Sequence, residues 1–409
     1  MMKRNTIYGK LAAIIVAASV ISFVGCTADD DNNGNEKDYG NLVPVIGTNS
    51  GMHIMTRAFA SEGESTPVWG FYEDLYPMSL ENNPKIGVFV LDGNVSASFK
   101  ANPAYFQYTV EKNPDGTYQR DERNHIIGEW EGLNTPVQDN TTYNIYGFMS
   151  ANNTTWDASV APNGSSYSNG AILKLNNVKT VTGTDVCAVV GVLKSNVEDK
   201  EDILKMENTI QDATGVGNFR YLAKKSDNFI YVWLDHLYSC VNLELSVDTK
   251  YSDLRKIKLK KVEFTINNTP TTFDITVNLG SYGISSTSFS ESGSPGQVTD
   301  VVYESTAGEE LPKVGAAPMS IPGYFAPAGE LSSQNVQIKF TYDVYTHKSD
   351  VPTRQNATAT NLIKISDLLA SAGLTLGQGQ LFTVKALIKP TYLYVLADED
   401  LDNPTVVIQ

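Results

Sequence analysis

From Leu42 onward, apolar residues recur at every second position along most of the chain, in short runs separated by turn-forming residues. A period of two matches the alternation of side chains across a half-buried strand. Residues 85–91 (KIGVFVL) read as a buried strand closed by the turn Asp92-Gly93-Asn94. Residues 105–111 alternate, and Asn113-Pro114-Asp115-Gly116 follows as a turn, because Pro presets φ and Gly accepts positive φ. Strands are predicted again over 142–150, 171–175 and 186–194, and then over 229–234, 240–247, 254–266, 272–279, 336–345, 382–389 and 392–397. The chain closes on one more apolar run, Thr405 to Gln409.

Helical periodicity is rare. Residues 197–214 carry Ile203, Leu204, Met206 and Ile210 among charges, which suits a short helix or a linking loop. Residues 366–373 have a Ser cap and a Gly stop around one or two turns. Segments 281–296 and 307–329 are rich in Ser, Gly and Pro and read as long surface loops. Many short strands with few helices predict an all-β protein built of sandwiches rather than βαβ units. A Gly- and Lys-bearing stretch at 215–226 divides the pattern, giving one sandwich over 42–220 and a second over 221–409.

Composition supports this picture and removes some functions. The chain is 41% hydrophobic and 19% charged, enough apolar material for ordinary cores. Its net charge of −15 repels phosphate backbones, and no basic patch compensates, so nucleic acid is not an expected partner.

The first residues specify a compartment. Lys3, Arg4 and Lys10 precede a short apolar core from Leu11 to Val24, the layout of a secretory signal. That core is too short for a stable membrane anchor. Phe23-Val24-Gly25-Cys26 resembles a lipobox, which implies a signal peptide over 1–25 and a diacylated Cys26 holding the mature chain to a membrane. Acyl chains contribute about 0.8 kcal/mol per buried methylene, so several of them anchor durably. Residues 26–41 form an acidic stretch without a large apolar side chain, and a flexible tether is expected there. Its Asp29-Asp30-Asp31 triplet resembles the surface-export signal of Bacteroidota lipoproteins.

Chemistry-bearing constellations are sparse. The four histidines, His53, His125, His236 and His347, show no metal-ligand spacing, and His236 reads as a satisfied histidine on a strand. Asp29, Asp31, Asn33 and Gly34 mimic the opening of a calcium loop, but Gly40 stands where its distal Glu belongs. The run Asp398-Glu399-Asp400 with Asp402 lacks both the Gly and the distal Glu, so it reads as a solvated turn. No nucleophile elbow, phosphate loop or CxxC pair occurs, and no catalytic residue, metal or organic cofactor is expected. Cys187 and Cys240 lie in apolar runs and could be a disulfide or two buried thiols. Trp69, Trp130 and Trp156, read as loop residues, leave open a surface glycan-binding lipoprotein, since exposed rings stack on sugars.

Met55 to Ala58 with Ile86 to Val90, Tyr143 to Met149 with Asp185 to Val189, and His236 to Leu243, in that order behind the lipobox, together resemble the fimbrillin family of type V pilins. Met55-Thr56-Arg57-Ala58 precedes Ile86-Gly87-Val88-Phe89-Val90 by about 30 residues, similar to the family's Thr-Arg-Ala stretch and its following strand. Tyr143 to Met149, with Asp185-Val186-Cys187-Ala188-Val189, is similar to two further family strands. His236 to Leu243 is similar to the strand that opens the family's second domain, although Leu234 and Tyr238 depart from the usual residues. The resemblance implies two tandem transthyretin-like β-sandwiches and a structural subunit of a fimbrium. It also implies an outer-membrane lipoprotein precursor, a maturation cut between Arg57 and Ala58, and polymerisation with other fimbrial subunits by strand exchange. The residues permit such chemistry: Val43, Val45 and Ile46, and then Met52, Ile54 and Met55, can supply a removable strand, with the alternation broken from Gly47 to Gly51. Val406, Val407 and Ile408 can either be donated to a neighbour or close their own sandwich.

Overall fold

The computed structural model describes residues 39–41, 52–57, 69–71, 85–92, 104–107, 129–131, 136–138, 142–150, 157–193, 219–222, 230–280, 283–327, 335–364, 377–392 and 399–408. They form an all-β protein. The helical residues among them are the single turn α1 (Thr249–Ser252) and a 3-10 turn at Tyr167–Asn169. α1 is so short because it only links two strands. Asp248 caps it by accepting from the N–H groups of Lys250 and Tyr251.

The largest sheet has nine strands. These are β2 (Met52–Arg57), β3 (Trp69–Phe71), β4 (Lys85–Asp92), β5 (Ala104–Gln107), β6 (Glu129–Glu131), β8 (Thr142–Ser150), β12 (Cys187–Leu193), β13 (Arg220–Leu222) and β14 (Ile230–His236). Their order is β3-β2-β14-β12-β8-β4-β5-β6, with β13 added against β8. The short strands β1 (Tyr39–Asn41) and β7 (Pro136–Gln138) pair with each other.

A four-stranded sheet runs β18 (Ile284–Glu291), β17 (Thr272–Leu279), β10 (Ala171–Lys179) and β9 (Asp157–Pro162). A five-stranded sheet runs β11 (Val181–Thr182), β20 (Met319–Phe325), β15 (Ser239–Val247), β23 (Leu381–Tyr392) and β24 (Glu399–Ile408). A second four-stranded sheet runs β19 (Pro295–Glu310), β16 (Arg255–Pro270), β21 (Asn335–Thr346) and β22 (Pro352–Lys364). Pairing is antiparallel except at β2–β14 and β15–β23. Strands from either side of residue 220 therefore share sheets, since β14 pairs with β12 and β17 pairs with β10.

Alternation decides which face of each strand is buried. Along β17 the apolar Phe273, Ile275, Val277 and Leu279 point inward and the polar residues between them point outward. Along β15 the alternating apolar residues Val241, Leu243, Leu245 and Val247 are buried, and so are Ser239 and Cys240 at its start. These side chains belong to one contiguous core that includes Phe89 and Phe148 of the large sheet, Leu173 and Leu175 of β10, and Phe264 and Phe340 of β16 and β21. Each such side chain contributes about 1.5–3 kcal/mol on burial. Gly323 on β20 is required where the five-stranded sheet packs on β16, because a Cβ there would overlap the Phe264 ring. Phe264 in turn tilts against Phe325, with ring centroids 5.6 Å apart.

Three expectations are corrected. Segments 281–296 and 307–329 are not simply surface loops, because β18, the two ends of β19 and β20 run through them. β18 escaped notice because most of its residues are exposed, leaving no apolar alternation to read. The acidic run near the end is not a turn: Glu399, Asp400 and Asp402 stand on β24. Its ladder to β23 is nevertheless broken, jumping from Lys389↔Thr405 to Thr391↔Asp400. Pro404 falls inside that break, on an edge strand, where a missing N–H costs no ladder bond. Trp69 and Trp130 also lie on strands, β3 and β6, not on loops.

Candidate functional site

β2 is the element to which the expected maturation site belongs. It runs parallel to β14, with Ile230↔Met52 through Leu234↔Thr56 in register. On its other side it pairs antiparallel with β3, where Arg57 stands opposite Trp69. Arg57 is therefore the final residue of the strand. Ala58 lies outside the described residues, as do Cys26, Trp156, His125, Asp398 and the helical candidates at 197–214 and 366–373.

Two things hold β14 in place to receive β2. The first is apolar: Val232, Trp233 and Leu234 are all buried. The second is a polar pin at its end, where Cys187 of β12 stands opposite His236 of β14. His236 Nδ1 donates to Asp185 Oδ2 across 2.6 Å, with both residues fully buried. The other carboxylate oxygen, Oδ1, accepts the Val186 N–H at 2.8 Å. Leu237 N donates to Val186 O at 2.7 Å, so the strands are tied by backbone as well. A buried carboxylate with this many donors is satisfied, and a satisfied buried polar pair fixes register.

The pin does not have the layout of a nucleophilic relay. Cys187 Sγ lies 3.6 Å from His236 Nδ1, the same nitrogen that faces Asp185. A relay needs the carboxylate on one ring nitrogen and the nucleophile on the other. Burial, reinforced by the charge of Asp185, pushes the Cys187 thiol well above its ordinary range. Cys240 is raised in the same way, burial first and Asp185 second. Both cysteines are free and buried, which settles the disulfide question in favour of two thiols.

Asp185, Cys187 and His236 are also the described residues whose donor atoms converge closely enough, within 4.8 Å, to suggest a metal site. The 2.6 Å carboxylate–imidazole separation is that of a hydrogen bond. Two ligands on one tetrahedral zinc at about 2.0–2.1 Å stand farther apart than that. The pin was not read from the sequence, although Asp185 and His236 each stood out as a polar residue beside an apolar strand. Their pairing spans 51 positions.

The other expected site lies at the chain's end. β24 is the edge of the five-stranded sheet and pairs with β23 through Ala386↔Ile408, Leu387↔Val407 and Ile388↔Val406. Val406 is buried. From the neighbouring sheet, Asn361 Nδ2 donates to Val406 O at 2.8 Å, so a side chain satisfies an outward carbonyl of this edge. Among the described residues, no helix is long and apolar enough to cross a membrane.

Comparison with known proteins gives no family model and no curated protein that matches the chain. Solved structures from Bacteroides and Porphyromonas do match over most of its length. A cell adhesion protein from Bacteroides fragilis aligns over 88% of this chain and 96% of its own, at 10% identity and a TM-score of 0.35. A fimbrial protein from Bacteroides vulgatus aligns over 87% and 98%, at 11% identity and a TM-score of 0.27. The fimbrial anchor protein Mfa2 from Porphyromonas gingivalis aligns over 88% and 96%, at 9% identity and a TM-score of 0.22.

Proposed function

We propose that this chain is a non-catalytic fimbrial subunit, carried to the cell surface as a lipoprotein on Cys26 and assembled by exchange of strands with other subunits. The observation that carries this reading is the placement of β2. It is inserted between β14 and β3, it ends on Arg57, and its neighbour β14 is held independently by the Asp185–His236 pin. A cut between Arg57 and Ala58 releases β2 from the rest of the chain and leaves the N–H and C=O groups of β14 along an open edge. An open edge of that kind accepts an extended strand from another molecule, with alternate side chains entering the core.

β24 supplies the corresponding strand for donation. It is an edge strand joined to β23 by a ladder that breaks around Pro404, so its last residues, Val406, Val407 and Ile408, can separate from the sheet as a unit. Buried in a neighbour, each contributes about 1.5–3 kcal/mol, and backbone pairing makes the joint slow to release.

N-terminal sequencing of surface-extracted protein tests the reading. Polymer bands are expected to begin at Ala58, with the lipid-bearing Cys26 form confined to the precursor band. Polymers whose subunits still begin at Cys26 would contradict it.

A further inference from the structure

Lys260, Asp343 and Asn356 stand on three neighbouring strands, β16, β21 and β22, at breaks in their ladders. On β16, pairing with β21 jumps from Leu259↔Tyr342 to Lys261↔Thr341, leaving Lys260 as the extra residue. Pairing with β19 jumps at the same point. Between β21 and β22 it jumps from Tyr342↔Ala357 to Val344↔Arg354, leaving Asp343 opposite two unpaired residues, one of them Asn356. Asn356 has a positive φ of 50°. A bulge re-aims the side chain of the residue it inserts, and the breaks here bring three side chains together.

The resulting contacts are specific. Lys260 Nζ lies 3.0 Å from Asp343 Oδ2 and 3.2 Å from Asn356 Oδ1. Asp343 Oδ1 accepts the Asn356 backbone N–H at 2.7 Å, which fixes the asparagine against the carboxylate. Asp343 is buried, and the Lys260 side chain is 26% exposed. Gly308 of β19 lies against the lysine stem, where a Cβ would touch Lys258 Cβ and Lys260 Cγ.

An amine, a carboxamide and a carboxylate at these distances are the reactants and the proton carrier for amide exchange. We propose that Lys260 and Asn356 become joined by an isopeptide bond, with Asp343 as the catalytic acid and base. Asp343 takes a proton from the Lys260 ammonium, and the freed amine attacks Asn356 Cγ. The new C–N bond forms, the Cγ–Nδ2 bond breaks, and Asp343 relays a proton from the attacking to the leaving nitrogen. Ammonia departs with the proton first lost by the lysine, so Asp343 ends as a carboxylate. No oxidant, reductant or other reactant is consumed. Holding both partners in contact removes the entropy cost of bringing them together, and a positioned carboxylate supplies the proton transfers. The bond fastens β22 to β16 across the intervening β21, so the sheet's edge strand cannot peel away under load.

Peptide mass spectrometry of the purified full chain tests this. A tryptic digest is expected to contain a branched peptide joining the Lys260 and Asn356 segments, lighter than their sum by one ammonia, with no cut after Lys260. Lys260→Arg, which keeps the charge beside Asp343, is expected to give two linear peptides of full mass and a lower thermal midpoint. Asp343→Asn, which keeps the shape, is expected to abolish the link as well. Linear peptides of full mass from the unaltered chain would overturn the proposal, and so would an ammonia loss confined to the Asn356 peptide as a cyclic imide. The digest of the unaltered chain decides the matter even if a variant does not fold.

Discussion

Asp185 accepts from His236 Nδ1 and from Val186 N inside the protein, so removing its carboxylate strands both donors away from water. Each buried orphan costs about 1–3 kcal/mol. Asp185→Ala is therefore expected to lower the urea midpoint by a loss of that order per donor, while Asp185→Asn, which keeps an acceptor, loses less. The thiols beside this pin set an alkaline limit. Cys187 and Cys240 are held protonated in the folded chain by burial and then by Asp185, whereas in the unfolded chain they ionise near the ordinary thiol value of about 8.5. With the folded values raised, stability is undiminished below the unfolded value and falls as pH rises above it, because unfolding then releases protons. Denaturation midpoints measured from neutral pH upward are expected to drop from that point. The drop is expected to be shallower in a double Cys187→Ala, Cys240→Ala variant.

At the scale of elements, strands with one buried face were legible in the sequence and strands without one were not. The strands expected at 142–150 and 272–279 match β8 and β17 to the residue, β17 because it alternates regularly and β8 because its aromatic and aliphatic residues are buried on both faces. β22 was missed because most of its residues between 353 and 362 are exposed. β20 was missed for another reason: Pro322 and Gly323 are ordinary loop signals. Its tolerance of both has a local cause. β11 pairs only with Tyr324 and Phe325, so β20 is an edge at Pro322, and Gly323 makes room for the Phe264 ring. Gly323→Val is accordingly expected to lose about 1–3 kcal/mol through overpacking, seen as a lower denaturation midpoint without change in strand content. The candidate sites were legible only in part. Arg57 and the C-terminal run were visible as local patterns, whereas the Asp185–His236 pin and the Lys260–Asp343–Asn356 cluster depend on contacts 51 and 96 positions apart.

At the scale of the whole molecule, residues Asp38–Gln409 form one compact unit with a contiguous core from Phe89 to Val406. The strand that would leave and the strand that would be given both lie at sequence extremes of that unit, so their exchange need not unthread the core strands between them. The proposed assembly turns on this separability of β2 and β24. The most direct measurement is size-exclusion chromatography and electron microscopy of the purified chain after cleavage by an Arg-specific protease. Cleavage at Arg57 is expected to convert monomers into SDS-resistant, rod-like polymers, and deletion of residues 406–409 is expected to leave the cleaved chain monomeric. A chain that is cut at Arg57 yet stays monomeric, with β2 still bound along β14 and β24 still protected from hydrogen exchange, would contradict the account.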